Sequence, residues 1–226
     1  MNNNSGKNRA RARELAAEFV KKGDPTGWFE ALYRETEARS NIREIPWDDG
    51  LPNPDLLAFW GDRPQPTANK SALVVGSGLG DDAEQLASWG FRVTAFDISE
   101  TAIRATRRRF PESKVDYVAA DLLAAPPSWS RKFDFVFEAN TLQALPRELR
   151  AVASTKIPDF VASGGQLLVI ALGREDFEPE GEVPWPLTRA EFSTFSRAGL
   201  TEISFEDFLD QETPPVRRFR ALYKRG

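Results

Sequence analysis

The chain of 226 residues contains no cysteine and no histidine. Without cysteine it can form no disulfide bond and offers no thiolate nucleophile. Without histidine it lacks the side chain that most often serves as a general base or as a metal ligand near neutral pH. Any chemistry must therefore rest on carboxylates, tyrosine, lysine, arginine, amides and the geometry of binding, and we expect no metal site.

Long apolar runs are also missing from the sequence. No stretch approaches the ~20 apolar residues of a transmembrane helix, and the N-terminal sequence MNNNSGKNRARAR lacks the apolar centre of a secretion signal. The net charge of −4 gives no general attraction to nucleic acid or to a membrane surface. We therefore expect a cytoplasmic protein, a monomer or weak dimer, that binds neither nucleic acid nor membranes.

The most informative stretch is SALVVGSGLGDDAEQLASWGFRVTAFDIS, from Ser71 to Ser99. A short apolar run predicts a buried strand, and the three glycines of Gly76–Gly80 predict a tight turn that brings backbone N–H groups close to a ligand. A helix and a second strand follow, and Asp97 lies at the end of that strand. Because ligands of open parallel sheets bind beside the first glycine turn, the stretch predicts a nucleoside-binding half-site.

The spacing of the glycines argues against a dinucleotide. In the fingerprint G-x-G-x-x-G the third glycine would occupy position 81, where this chain has Asp81. A carboxylate there would repel a pyrophosphate at the start of the helix but would tolerate the α-ammonium group of an amino acid.

The segments VVGSGLGDDA and AFDIS resemble motifs I and II of the class I S-adenosylmethionine-dependent methyltransferases. The resemblance extends over roughly Leu73–Tyr223, and the segment Pro184–Leu187 with the closing arginine-aromatic strand is similar to the bacterial thiopurine/thiocyanate S-methyltransferase-like branch. It implies an α/β fold with a doubly wound, mostly parallel, seven-stranded Rossmann-like sheet. The implied strand order is 3-2-1-4-5-7-6, with strand seven antiparallel.

We expect a single domain. Residues 1–60 would form N-terminal helices and a lid loop, and residues 61–226 would form the methyltransferase core, beginning with a polar linker from Gly61 to Lys70. Near the C-terminal half, the pattern predicts a helix from Pro146 to about Ala162 and a fifth strand from Gln166.

The resemblance implies S-adenosylmethionine as methyl donor and S-adenosylhomocysteine as product. The residues that it implies for cofactor binding, besides Trp47, are Gly76, Ser77, Gly78, Gly80, Asp97, Ile98, Asp121 and Leu122. Asp97 would accept hydrogen bonds from the ribose hydroxyls, and Asp121 would bond the adenine amino group. Asp121 could instead be a turn-forming residue.

Two irregular loops rich in proline and acids flank the predicted core. The loop Ile45–Pro54 contains Trp47, which would be either a lid over the methyl donor or a plug packed on the core. The loop Asp176–Trp185 is a candidate second wall of the pocket.

The end of the fourth predicted strand, Phe133–Glu138, faces the reactive methyl group in the family. We therefore expect Glu138 and Asn140 to be catalytic. The residues expected to bind the acceptor are Gln143, Arg174 and Trp185. Arg174 could pair with an anionic substrate or lie solvated on the surface.

The predicted activity is methyl transfer to a small-molecule nucleophile, with sulfur favoured because a thiol needs little help from a base. Small-molecule O- or N-methylation stays open, with Glu138, Asp48 or a metal assisting attack by oxygen. Two alternatives of another class are a nicotinamide-dependent oxidoreductase and a non-catalytic nucleoside-binding module.

Overall fold

A computed structural model describes residues 3–39, 44–61 and 70–226 of the chain. Most of the predicted linker, residues 62–69, lies outside the described residues. No helix within the described ranges combines the length and the apolar sequence that crossing a membrane requires.

The fold is built on one sheet of eight strands. The strands are β1 (Ser71–Val75), β2 (Arg92–Asp97), β3 (Asp116–Ala119), β4 (Phe133–Ala139), β5 (Val161–Arg174), β6 (Leu187–Thr188), β7 (Thr201–Leu209) and β8 (Arg217–Lys224). Their order is β3-β2-β1-β4-β5-β8-β7, and the two-residue β6 pairs with the end of β5. The pairs are parallel except that β8 runs antiparallel to β5 and β7. Apart from the extra β6, this confirms the predicted sheet.

Seven α-helices are found in the described ranges. They are α1 (Asn3–Lys21), α2 (Gly27–Ala38), α3 (Pro54–Trp60), α4 (Asp81–Ser88), α5 (Glu100–Arg109), α6 (Arg147–Lys156) and α7 (Arg189–Arg197). Successive side chains of β1 point to opposite faces of the sheet, as the two-residue period of a strand requires. Leu73 and Val75 pack with α6 and α7, whereas Ala72 and Val74 pack with α3, α4 and α5.

The N-terminal helices form a third layer over the carboxyl ends of the strands. Leu15 of α1 and Trp28 and Leu32 of α2 are buried in one cluster with Leu79, which follows β1, and with Ala102 of α5. The predicted N-terminal helical extension is therefore packed onto the end of the sheet where a ligand would bind.

The helix predicted from Pro146 to about Ala162 is shorter in the structure. It ends at Lys156, a short 3₁₀ turn covers Ile157–Phe160, and β5 begins at Val161. Pro158 has no N–H to continue the α-helical hydrogen bonds. Residues 163–165, between the predicted helix and the predicted strand, instead belong to a bulge inside β5. The residue paired with β4 shifts there from Val161, opposite Phe133, to Gln166, opposite Phe135.

A half-buried carboxylate attaches α2 to the start of α5. Glu30 accepts hydrogen bonds from Ser99 Oγ (2.6 Å), from Thr101 N (3.1 Å) and from Thr101 Oγ1 (2.7 Å). Ser99 and Thr101 are fully buried. Burial opposes ionisation of Glu30, but these hydrogen bonds hold its pKa below the usual value. The position of α2 over the sheet is therefore fixed by a charged group as well as by apolar contacts.

We expect Glu30→Ala to lower the free energy of unfolding by about 2–4 kcal/mol, because it leaves the buried hydroxyls of Ser99 and Thr101 without an acceptor. Urea denaturation measures the loss. Glu37→Ala is the matched control on the same helix. It removes ion pairs to Arg104 and Arg108, which are at least half exposed, and should cost about 1 kcal/mol or less. Equal losses in the two variants would contradict the role given to Glu30.

Candidate functional site

The turn after β1 is shaped by three glycines with positive φ, Gly76 (62°), Gly78 (53°) and Gly80 (92°). A Cβ atom at Gly76 would lie 2.1 Å from Thr141 Oγ1, and one at Gly80 would lie 2.6 Å from Thr106 Cγ2. These two glycines are therefore required by packing within the protein. At Gly78 the nearest atoms would be Tyr33 Oη at 3.3 Å and Trp47 Nε1 at 3.8 Å, so the middle of the turn faces these two side chains and leaves more room for a Cβ than the other two positions.

Asp97 is held directly beside this turn. Its carboxylate accepts hydrogen bonds from the N–H groups of Gly78 and Ser99, both at 2.9 Å. It is 8% exposed, and burial raises its pKa to about 6. Each carboxylate oxygen can accept more than one hydrogen bond, so Asp97 can stabilise the turn and still accept hydroxyl protons from a ligand.

The segment after β3 forms the next part of the wall. Asp121 Oδ1 accepts the N–H of Leu123 at 2.8 Å and so caps the turn Leu122–Ala124. Asp121 is exposed and, like Ile98 and Leu122, lines the same cavity as Gly78. The turn-forming role of Asp121 is thus present in the structure, and its predicted contact with adenine stays a prediction.

Aromatic side chains form the roof. Trp47 donates its indole N–H to Tyr33 Oη at 3.0 Å, and its ring meets Trp28 and Phe29 edge-on at centroid distances of 5.9 and 6.4 Å. Trp47 is 40% exposed, so it is neither a fully buried plug nor a free surface residue. Burial raises the pKa of Tyr33 well above its usual value, so the hydroxyl stays protonated.

Tyr33 lines the cavity but was not among the site residues predicted from the sequence. The available signal was the polar end of a tyrosine on a helix that precedes the Trp47 loop. A buried tyrosine hydroxyl usually has a polar partner. The sequence does not indicate that this partner is Trp47 and that both cover Gly78.

The segment after β4 contains the two predicted catalytic residues in very different places. Asn140 has a positive φ of 65° and lines the cavity. Glu138 is fully buried and lies outside the cavity wall. Its Oε1 accepts the N–H groups of Thr141 (2.8 Å) and Leu142 (3.0 Å), and burial raises its pKa to about 7. Glu138 therefore supports the turn that carries Asn140, and its predicted catalytic role stays a prediction.

The three predicted acceptor-binding residues are also divided. Gln143 lines the cavity, but its side-chain oxygen already accepts the N–H of Leu172 at 2.6 Å. Arg174 is 8% exposed and donates to the carbonyl oxygens of residues 175, 178 and 186, so it is neither solvated nor in the cavity. Trp185 is half-buried against the apolar cluster that contains Val183, and Val183 and Pro184 line the cavity in its place.

These elements enclose one cavity of about 510 Å³, within the usual range for sites of small molecules and cofactors. It runs from the glycine turn across the carboxyl ends of β2 and β3 to the segment after β4. Ser77 Oγ and Asn140 Oδ1 are buried in its wall and have no hydrogen-bond partner in the described structure. Buried polar atoms are seldom unpaired, so both atoms fit contacts to a bound ligand.

A model of the family described as "Thiopurine S-methyltransferase (TPMT)" matches residues 37–222. A relative from Arabidopsis thaliana, named probable thiol methyltransferase 2, is 26% identical over 187 residues, which cover 80% of this chain and 76% of the relative.

Two solved structures share the fold. One, from work on the conversion of a disulfide bond into a thioacetal group during echinomycin biosynthesis, has a TM-score of 0.69 at 22% identity and covers 88% of this chain and 92% of that chain. The other is the N-methyltransferase NodS from Bradyrhizobium japonicum WM9 in complex with S-adenosylhomocysteine. It has a TM-score of 0.58 at 21% identity and covers 70% of this chain and 78% of that chain.

The matched range includes the Trp47 loop, the glycine turn, Asp97 and Asn140, and it begins near the end of α2. Because the family uses S-adenosylmethionine, the predicted cofactor and the predicted resemblance are both confirmed, and the dehydrogenase alternative is excluded. The chain belongs to the thiopurine S-methyltransferase family and is an S-adenosylmethionine-dependent methyltransferase.

Proposed function

We propose that the protein transfers a methyl group from S-adenosylmethionine to the sulfur atom of a small-molecule thiol. The observation that carries this proposal is the continuous cavity that joins the glycine turn to Asn140 and to the apolar pair Val183 and Pro184. One end has the features of a cofactor cradle, and the other is a chamber suited to a small molecule. The description of the family and the name of the Arabidopsis relative support sulfur as the acceptor atom.

In this proposal each part of the cofactor contacts different residues of the cradle. Asp97 accepts the ribose hydroxyls through the lone pairs that Gly78 and Ser99 leave unused. Ser77 and Gly78 contact the methionine part, and Asp121 lies beside the adenine. The supporting observation is that these residues line one cavity on the carboxyl side of β1, β2 and β3.

Bound S-adenosylmethionine supplies a methyl group that its positively charged sulfur has already activated. The chain has to align an acceptor with that group, and alignment can contribute ~7–11 kcal/mol toward a barrier. A thiol ionises near pH ~8.5 when free, so an acceptor sulfur needs little help from a general base. This requirement suits a site built without histidine.

We assign Glu138 a positioning role rather than contact with the reacting atoms. Its Oε1 holds the N–H groups of Thr141 and Leu142, and Thr141 in turn donates its hydroxyl to Val75 O at 3.1 Å. These bonds fix the turn in which Asn140 adopts its left-handed conformation, and so they fix where Asn140 Oδ1 lies.

Acceptor preference tests the proposed function. With S-adenosylmethionine present, thiophenol should be methylated at least about tenfold faster than phenol, because sulfur is the stronger nucleophile and ionises more readily. Product formation is followed by mass spectrometry, with S-adenosylhomocysteine release as the second readout. Faster methylation of phenol than of thiophenol would contradict a sulfur acceptor. So would the absence of transfer to both compounds and to every other thiol tested.

Variants at Trp47 test whether it covers the methyl-transfer site. Trp47→Ala should lower turnover per folded molecule about tenfold or more, because the opened roof admits water. It should cost only about 1–2 kcal/mol of stability, less than the ~3–5 kcal/mol of a fully buried tryptophan, since Trp47 is partly exposed. Turnover and melting temperature are measured on the same preparation.

Trp60→Ala is the control for the Trp47 variant. Trp60 packs against Trp89, Phe91 and Phe135 on another face of the sheet, so its loss should lower the melting temperature and leave turnover per folded molecule unchanged. The covering role is wrong if Trp47→Ala behaves in the same way.

Glu138→Gln tests the buried carboxylate through pH. The pKa of Glu138 is about 7 in the folded protein against an ordinary value of 4.5, so ionisation is disfavoured in the fold. Glu138 therefore lowers the free energy of unfolding progressively as pH rises from about 4.5 to about 7. Above pH 7 the reduction stays constant. The glutamine cannot ionise, so its stability relative to the wild type should rise over that interval by about 1–3 kcal/mol.

Denaturation by urea at pH 5, 6, 7 and 8 measures this difference. Glu148→Gln, at an exposed position of α6, controls for removal of one negative charge. Stability profiles of wild type and Glu138→Gln that run parallel from pH 5 to pH 8 would rule out the buried ionisation.

A further inference from the structure

The charges that line the cavity are segregated. Carboxylates lie along the cofactor cradle, on the turn after β1 and at the ends of β2 and β3. Asp81, Asp82, Asp97 and Asp121 lie on this acidic side, although Asp81 is paired with Arg109 at 2.6 Å. Asp48 and Asp49 of the Trp47 loop and Glu212 also line the cavity. Such a wall favours a cationic ligand and opposes an anionic one. The acidic side therefore suits a positively charged methyl donor and would by itself repel a negatively charged acceptor.

Positive charge enters the cavity wall from α1. Arg9 and Arg13 both line the cavity and are spaced one helical turn apart. Arg9 is exposed and has no ion pair within the described part of the chain. Arg13 Nε donates to Val183 O at 3.1 Å and lies 3.6 Å from a carboxylate oxygen of the exposed Glu182. Arg9 is thus available at the mouth of the cavity, and Arg13 is available to an anionic group that competes with the exposed Glu182.

The remaining arginine in the described wall is already neutralised. Arg218 makes contacts of 2.8 Å with Asp210 and with Glu212. The cations that an incoming ligand can use are therefore those of α1.

The wall between the arginines and Asn140 is mostly apolar. Ala12 of α1, Phe29 of α2, Leu145, Val183 and Pro184 line this part of the cavity. A ligand that fills it has to present an apolar body toward these side chains, and any charge that it carries has to lie near Arg9 and Arg13 to avoid the cost of an unpaired charge.

We propose that the acceptor is an apolar thiol that carries a carboxylate or another anionic group, and that Arg9 and Arg13 bind this group. The inference rests on the proposed sulfur methyltransferase function and adds the charge of the acceptor. With its anionic group at α1, the acceptor lies along the apolar wall, and its thiol points toward Asn140 and the acidic cofactor side. Arg9 and Arg13 are then specificity-determining residues.

The experiment compares two product-like probes that differ in charge, 4-(methylthio)benzoate and 4-(methylthio)benzamide. Calorimetry gives the Kd of each probe for the full chain saturated with S-adenosylhomocysteine, so no turnover is needed. The wild type should bind the benzoate more tightly. Arg9→Gln and Arg13→Gln should each reduce this preference about two- to fivefold, as expected for partly exposed ion pairs.

Two matched variants sharpen the test. Glu182→Gln removes the carboxylate beside Arg13 and should increase the preference for the benzoate, the opposite direction from the arginine variants. Arg34→Gln removes an exposed positive charge of α2 that does not line the cavity, and it should leave the preference unchanged. Arg9→Gln removes no hydrogen bond found in the described structure, so a folding defect is not expected to obscure its effect.

The inference is overturned if the amide binds as tightly as the benzoate, if neither probe binds, or if Arg9→Gln and Arg13→Gln both retain the wild-type preference. Its failure is separate from failure of the proposed function. If thiols are methylated but the benzoate preference is absent, only the anionic acceptor is wrong. If the preference depends on the arginines but no thiol is methylated, only the sulfur acceptor is wrong.

Discussion

The hydrogen bond from Gly78 N to the Asp97 carboxylate is the contact on which the rest of the site depends. The other oxygen of Asp97 accepts Ser99 N, and the Ser99 hydroxyl donates to Glu30 of α2. Floor and roof of the cavity are therefore joined by one continuous set of hydrogen bonds through the buried Asp97 and Ser99 and the half-buried Glu30. Because Phe29 and Tyr33 belong to the same helix as Glu30, the aromatic roof is linked through Ser99 to the carboxylate of Asp97, which holds the glycine turn.

This connection divides the roof into two kinds of element. Helix α2 is bound to α5 through hydrogen bonds from the buried Ser99 and Thr101. Helix α1 is attached by its buried apolar side, which includes Leu15, and its ion pairs Arg11–Glu35 and Arg13–Glu182 are partly exposed. The Trp47 loop contacts α2 through the indole hydrogen bond to Tyr33, through edge-on ring contacts and through the buried Ile45. Exposed ion pairs contribute little free energy, so α1 and the Trp47 loop are held over the cavity mainly by apolar contacts.

Local sequence patterns were sufficient for the glycine turn, for Asp97 at the end of β2 and for the alternation of strands and helices, because each depends on a few neighbouring residues. The strand order came from the family resemblance. The predicted start of β5 at Gln166 was wrong. An apolar stretch with glycines after a helix does not reveal that it forms a bulge and pairs with β4. Glu138 and Arg174 lie at the predicted strand ends, but tertiary packing turns both side chains away from the cavity, and no sequence spacing encodes that direction.

A site without histidine or cysteine has to obtain its selectivity from distances and fixed charges. An activated methyl donor reduces the need for proton transfer, so the strictest constraints fall on groups that set position. Those constraints are carried largely by backbone N–H groups bound to buried carboxylates, at Gly78 with Asp97 and at Thr141 and Leu142 with Glu138. Exposed or apolar residues such as Arg9 and Val183 can then vary without disturbing the cradle, which separates recognition of the acceptor from the geometry of transfer.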